Sequence, residues 1–122
     1  MQELGEAPDP ELIPIYLKAL LETGQGAVAR DYVREHRAGW SLDETRQCAW
    51  VCHKSQAFDL AFDLFLELFR HDRDNYKYLR ALEKAARNAG RLDTLCGLYE
   101  ELAPQDKRFY GRARKLRAKS GM

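Results

Sequence analysis

The chain has 122 residues, 45% of them hydrophobic and 32% charged, with four prolines and a formal net charge of +1. That is long enough for one self-supporting core and too apolar for a disordered chain. No apolar run approaches the roughly 20 residues of a spanning helix, and the opening Met1-Gln2-Glu3-Leu4-Gly5-Glu6 is acidic where a signal peptide is basic and then apolar, so a cytoplasmic address is the default expectation.

Residues 1–8 carry Gly5 and Pro8 without periodicity and read as a flexible leader, leaving 9–122 as a single domain. Asp9-Pro10 has the form of a helix cap followed by proline at the first helical position, with Pro14 able to delay or kink the first turn and Gly24 closing the helix. A second amphipathic stretch places Val28, Tyr32 and Val33 on one side and ends before Gly39. Ser41-Leu42-Asp43-Glu44 is a capping box, so a third helix starts there and runs to about Ser55. From Phe58 to Phe69 the sequence is apolar around most of a helix, interrupted by a strip of Asp59, Asp63 and Glu67; such a helix belongs in the middle of a stack.

Asp74 or Asn75 caps a fifth helix from Tyr76 to Gly90, with Leu79, Leu82, Ala86 and Ala89 facing inward. A sixth covers Arg91 to Leu102 and is closed by Pro104. A seventh runs from about Asp106 to Lys119, with Phe109, Tyr110, Ala113 and Leu116 as its apolar contribution. Cys48, Cys52 and Cys96 are too few and odd in number for a disulfide framework and read as reduced and buried.

Aligning the second helices of successive pairs stacks Ala29, Ala61 and Leu95 in one column and Val33, Phe65 and Tyr99 in another, at spacings of 32 and 34 residues. An A-x3-F pattern, a period of roughly 34 and a small residue in the turn resemble the tetratricopeptide repeat, over residues 9–103. The first-helix signature of that family is missing from all three units, so half-a-tetratricopeptide and pentatricopeptide arrays stay open as relatives. The resemblance implies an all-α, right-handed superhelical stack of about three antiparallel helix pairs plus a C-terminal capping helix.

In that family the first helix of each pair lines a concave groove that accepts a segment of a partner. Here the fifth helix carries Lys77, Arg80, Lys84 and Arg87 at i, i+3, i+7, i+10, one basic face opposite the apolar one. The third adds Arg46, Trp50 and Lys54, and the first adds Lys18. The second helices show Asp59, Asp63 and Glu67, then Asp93, Glu100 and Glu101, which predicts one basic and one acidic side of the stack. Arg and Trp are favoured where binding energy concentrates, and the expected function is a non-enzymatic adaptor, scaffold or small chaperone. Its groove would hold an acidic or carboxylate-bearing protein segment. Lys77 fits one position of the family's clamp for carboxylate termini, but Pro14 stands where a first-repeat lysine belongs, so the full clamp is not implied.

The alternative is an RNA-binding helical repeat, with Arg and Lys on phosphates and Trp50 or Tyr110 stacking on bases. The basic stretch after Asp106, which includes Arg112, Arg114, Lys115 and Arg117, could serve that purpose or simply cap the stack. If the charge of the fifth and last helices merges, nucleic acid is favoured. If it stays divided, a protein segment is. Cys48-x3-Cys52-His53 lacks the second ligand pair of a structural zinc site, and Gly24-Gln25-Gly26 lacks the rest of a phosphate loop. No enzyme, metal or cofactor is therefore expected.

Overall fold

A computed structural model describes residues 12–120, and every regular element in it is helical. The chain forms α1 (Leu12–Glu22), α2 (Gly26–His36), a 3-10 turn (Arg37–Gly39), α3 (Leu42–Lys54), α4 (Phe58–His71), α5 (Tyr76–Ala89), α6 (Leu92–Leu102) and α7 (Arg108–Ser120). The leader over 1–8 and the Asp9-Pro10 cap lie outside the described residues. Pro14 falls in the first described turn of α1.

Local chemistry sets the helix ends. At α3 the backbone N–H of Ser41 donates to Glu44 Oε1 at 2.8 Å, and the backbone N–H of Glu44 donates to Ser41 Oγ at 3.1 Å. Both halves of the capping box are made. Asn75, rather than Asp74, caps α5: its Oδ1 accepts from the N–H groups of Lys77 and Tyr78 at 3.1 and 3.3 Å. The α1–α2, α3–α4 and α5–α6 turns share one construction. Each has a left-handed residue, namely Gly24, Gln56 and Gly90 at φ of 75°, 62° and 71°. The next N–H then reaches back five residues, from Gln25 to Leu20, Ala57 to Cys52 and Arg91 to Ala86, at 2.9, 2.8 and 2.7 Å. This is the helix-ending arrangement in which a left-handed residue lets a late N–H satisfy an orphan carbonyl.

Each helix packs on its neighbours: α1 on α2 and α3, α3 on α4, α4 on α5, and α6 on α7. The helix that is apolar nearly all round, α4, buries Leu60, Ala61, Phe62, Leu64, Phe65, Leu68 and Phe69 between α3 and α5. Contact between α5 and α6 is slighter than that of either with its other neighbour. The two aligned columns, Ala29, Ala61, Leu95 and Val33, Phe65, Tyr99, are all buried. Phe69, Tyr99 and Phe109 meet at ring separations of 5.2 to 6.5 Å and tie α4 and α6 to α7. Emptying such a site, as in Phe69→Ala, costs about 3–5 kcal/mol in comparable cores.

Two apolar assignments fail. Val28 is 47% exposed, because α2 turns Ala29 and Val33 inward, and Tyr110 is 55% exposed while Phe109, Ala113 and Leu116 carry the packing of α7. Of the expected acidic side, the α4 strip is compensated. Asp59, Asp63 and Glu67 pair with Arg30 at 3.8 Å, Arg91 at 2.9 Å and Arg37 at 3.0 Å, and the Arg91 guanidinium lies 4.1 Å over the Phe62 ring. Three arginines neutralise the strip. It is an ion lattice joining α4 to its flanks, with Arg37 and Arg91 reaching it from outside the helices.

Candidate functional site

Capped by Asn75 and stopped by Gly90, α5 buries Leu79, Ala81, Leu82, Ala85 and Ala86, which leaves Lys77, Arg80, Lys84 and Arg87 exposed along the opposite face. That face borders a cleft of about 520 Å³ shared with α3. Trp50 and His53 form the α3 wall; Tyr76, Lys77, Arg80, Ala81, Glu83, Lys84 and Arg87 form the α5 wall. Trp50 is half-buried, its ring set edge-on to Phe65 at 4.8 Å, so its position is fixed by α4 behind it. The four cations span about 15 Å of helix. Among the described residues none of them has a carboxylate within ion-pairing distance.

Five of the eight sequence-predicted residues thus come together: Trp50, Lys77, Arg80, Lys84 and Arg87. The other three do not line the cleft. Arg46 is held by Asp43 of its own helix, Lys54 is exposed one turn beyond Trp50, and Lys18 is exposed on α1. Four lining residues were missed, among them the small, buried Ala81. His53 drew attention only as a metal candidate, Tyr76 reads simply as the first residue of α5, and Glu83 looks like an ordinary surface acid. The Tyr76–Arg80 spacing of i, i+4 is the one local signal for the tyrosine.

Electrostatics distinguish the two flanks of α5. Glu83 is only 21% exposed, accepts the Tyr99 hydroxyl at 2.9 Å and pairs with Arg112 of α7 at 3.5 Å. Burial, then the charge of Glu83, raises the Tyr99 pKa, so the phenol stays a donor. The His53 ring sits edge-on to Trp50, Phe58 and Phe65, with Nε2 buried and without a hydrogen-bond partner among the described residues. Burial, then the nearby Lys84 ammonium, lowers its pKa and keeps it neutral.

A second cleft, of about 350 Å³, lies between α5 and α7 and shares Tyr76 and Glu83 with the first. The Tyr76 ring is 58% exposed, with the Arg80 guanidinium 5.9 Å and the Arg112 guanidinium 5.3 Å from its centroid. The α7 cations are not equivalent to those of α5. Arg108 bonds Asp74 at 2.8 Å and also Asp106, Arg112 is paired with Glu83, and Arg117 with Glu100.

The three cysteines are buried thiols, as their number suggested. Burial pushes Cys48 and Cys52 up to about 12, the nearby Glu44 adding to the first and Cys48 to the second, so neither supplies a thiolate at neutral pH. Among the described residues no three His, Cys, Asp or Glu side chains converge as a metal site, and no helix is long and apolar enough to cross a membrane. No protein family, curated protein or solved structure matches the chain, so the functional reading rests on the geometry of this cleft.

Proposed function

We propose that the protein is a non-enzymatic binding module, an adaptor or small chaperone, that holds an acidic segment of a partner protein in the cleft between α3 and α5. The observation that carries this is the set of four cations on α5, without ion-pair partners among the described residues, facing a tryptophan whose ring is anchored from behind by Phe65. Carboxylates bound there would gain charge-assisted hydrogen bonds without first breaking an ion pair, and Trp50 offers a preplaced apolar contact. A concave groove on the odd-numbered helices, as in a tetratricopeptide-like superhelix, is supported by the position of both clefts along α3, α5 and α7 and by the shared construction of the three turns.

RNA is the second reading, favoured by the contact of the two clefts at Tyr76. Compensation of Arg108, Arg112 and Arg117 by acids weakens it, because a phosphate chain along α7 would have to displace those partners. Quantitative capture from nuclease-treated and untreated lysate, with wild-type protein beside a folded Arg80→Glu, Lys84→Glu, Arg87→Glu variant, separates the two. A nuclease-resistant protein partner lost by the variant is the expected result. Capture abolished by nuclease would transfer the site to RNA, and equal retention by both chains would remove the cleft from the function.

A further inference from the structure

We infer that the partner segment is extended and crosses α5 at Tyr76, entering the α5–α7 cleft as well as the α3–α5 cleft. This rests on the proposal that the α3–α5 cleft takes an acidic segment. The two depressions share the exposed Tyr76 ring, and guanidiniums from both sides, Arg80 and Arg112, reach that ring. A tyrosine at a junction flanked by two cations is a platform over which a backbone can lie while a carboxylate reaches Arg80, the Arg112 guanidinium being held by Glu83.

Beyond Tyr76 the second cleft offers Lys115, which has no ion-pair partner among the described residues, and the floor of Leu116. Two helix spacings amount to about 16–20 Å, and a strand rises about 3.3 Å per residue, so the segment that fills both clefts has about five or six residues or more. A helical segment would need about 11–13 residues for the same span, so an eight-residue probe reaches both clefts only when extended. The complementarity is graded: strongly acidic against the free cations of α5, then less charged against α7, where Glu83 already occupies Arg112.

The test is fluorescence anisotropy with labelled triglutamate, octaglutamate and octauridylate, using wild type, Lys84→Glu, Tyr76→Ala and Lys115→Glu, each checked for helicity. Lys84→Glu should weaken both peptides about three- to tenfold, the range for one charge reversal at a partly exposed contact. Lys115→Glu should weaken octaglutamate by a similar factor and leave triglutamate unchanged, whereas Tyr76→Ala, which alters the shared junction, should weaken octaglutamate more than triglutamate. If Lys84→Glu alone matters, the crossing at Tyr76 is wrong and the α3–α5 site stands. If no variant alters either peptide, both fall. Octauridylate bound more tightly than octaglutamate, with the same variant pattern, would replace the acidic segment with nucleic acid and overturn the inference.

Discussion

Replacing Gln56 with glycine should stabilise the protein. Gln56 sits at φ 62° in the α3–α4 turn, where the two equivalent turns have glycine, and its side chain is exposed. A left-handed residue with a Cβ costs roughly 1–2 kcal/mol. The added freedom of glycine in the unfolded chain returns about 0.4–1 kcal/mol of that, so the net gain is about 0.5–1 kcal/mol. With an unfolding entropy of about 2.1 cal/mol/K per residue, 122 residues give roughly 0.26 kcal/mol/K, and Tm should rise by about 2–4 °C. Thermal melts followed by circular dichroism read this directly. The converse change, Gly90→Ala, should lower Tm by a similar amount, and because a Cβ at Gly90 meets nothing within 4 Å the loss would be backbone strain alone. A fall in Tm for Gln56→Gly, or no change for Gly90→Ala, would show that these turns do not impose the left-handed conformation.

Other consequences can be checked in the same way. Tyr99→Phe removes the hydroxyl bonded to Glu83 and should cost about 1–2 kcal/mol in a urea titration with unchanged slope. Ser41→Ala breaks the capping box and should cost about 1 kcal/mol by the same measurement. His53 is held below its ordinary pKa by burial and then by Lys84, so the unfolded chain binds the extra proton first; stability should be full above about pH 6.5 and fall as pH drops toward the folded value. His53→Phe should remove that slope between pH 7.5 and 5.5, to about the precision of paired melts. Lys18→Glu, outside both clefts, should leave partner capture within about twofold of wild type.

Features fixed by neighbours in sequence were the legible ones. Ser41 and Glu44, Asn75 with the two N–H groups after it, and Gly24 and Gly90 all act within one helical turn, so residue type and spacing suffice. The basic face of α5 is equally local, since its cations share a face by helical period alone. Tertiary pairings were not legible. The neutral state of the α4 strip depends on Arg37 and Arg91, 26 to 30 positions from their partners. Val28 and Val33 could each have pointed inward by period, and only the neighbour contacts of α2 decide for Val33. In the site, Trp50 was legible by its i, i+4, i+8 spacing with Arg46 and Lys54, whereas the double use of Tyr76 requires Arg112 to arrive from α7.

The turns at Gly24, Gln56 and Gly90 present the same joint to the helix that follows. Excising residues 25–56 would bring Gly24 directly against Ala57, and the carbonyl of Leu20 would meet the donor geometry that Cys52 now meets. Shortening at these joints therefore keeps the turn hydrogen bond but not the packing, because α1 meets α3 whereas α4 meets α5, and a loss of one or two residues inside a turn would rotate every helix after it.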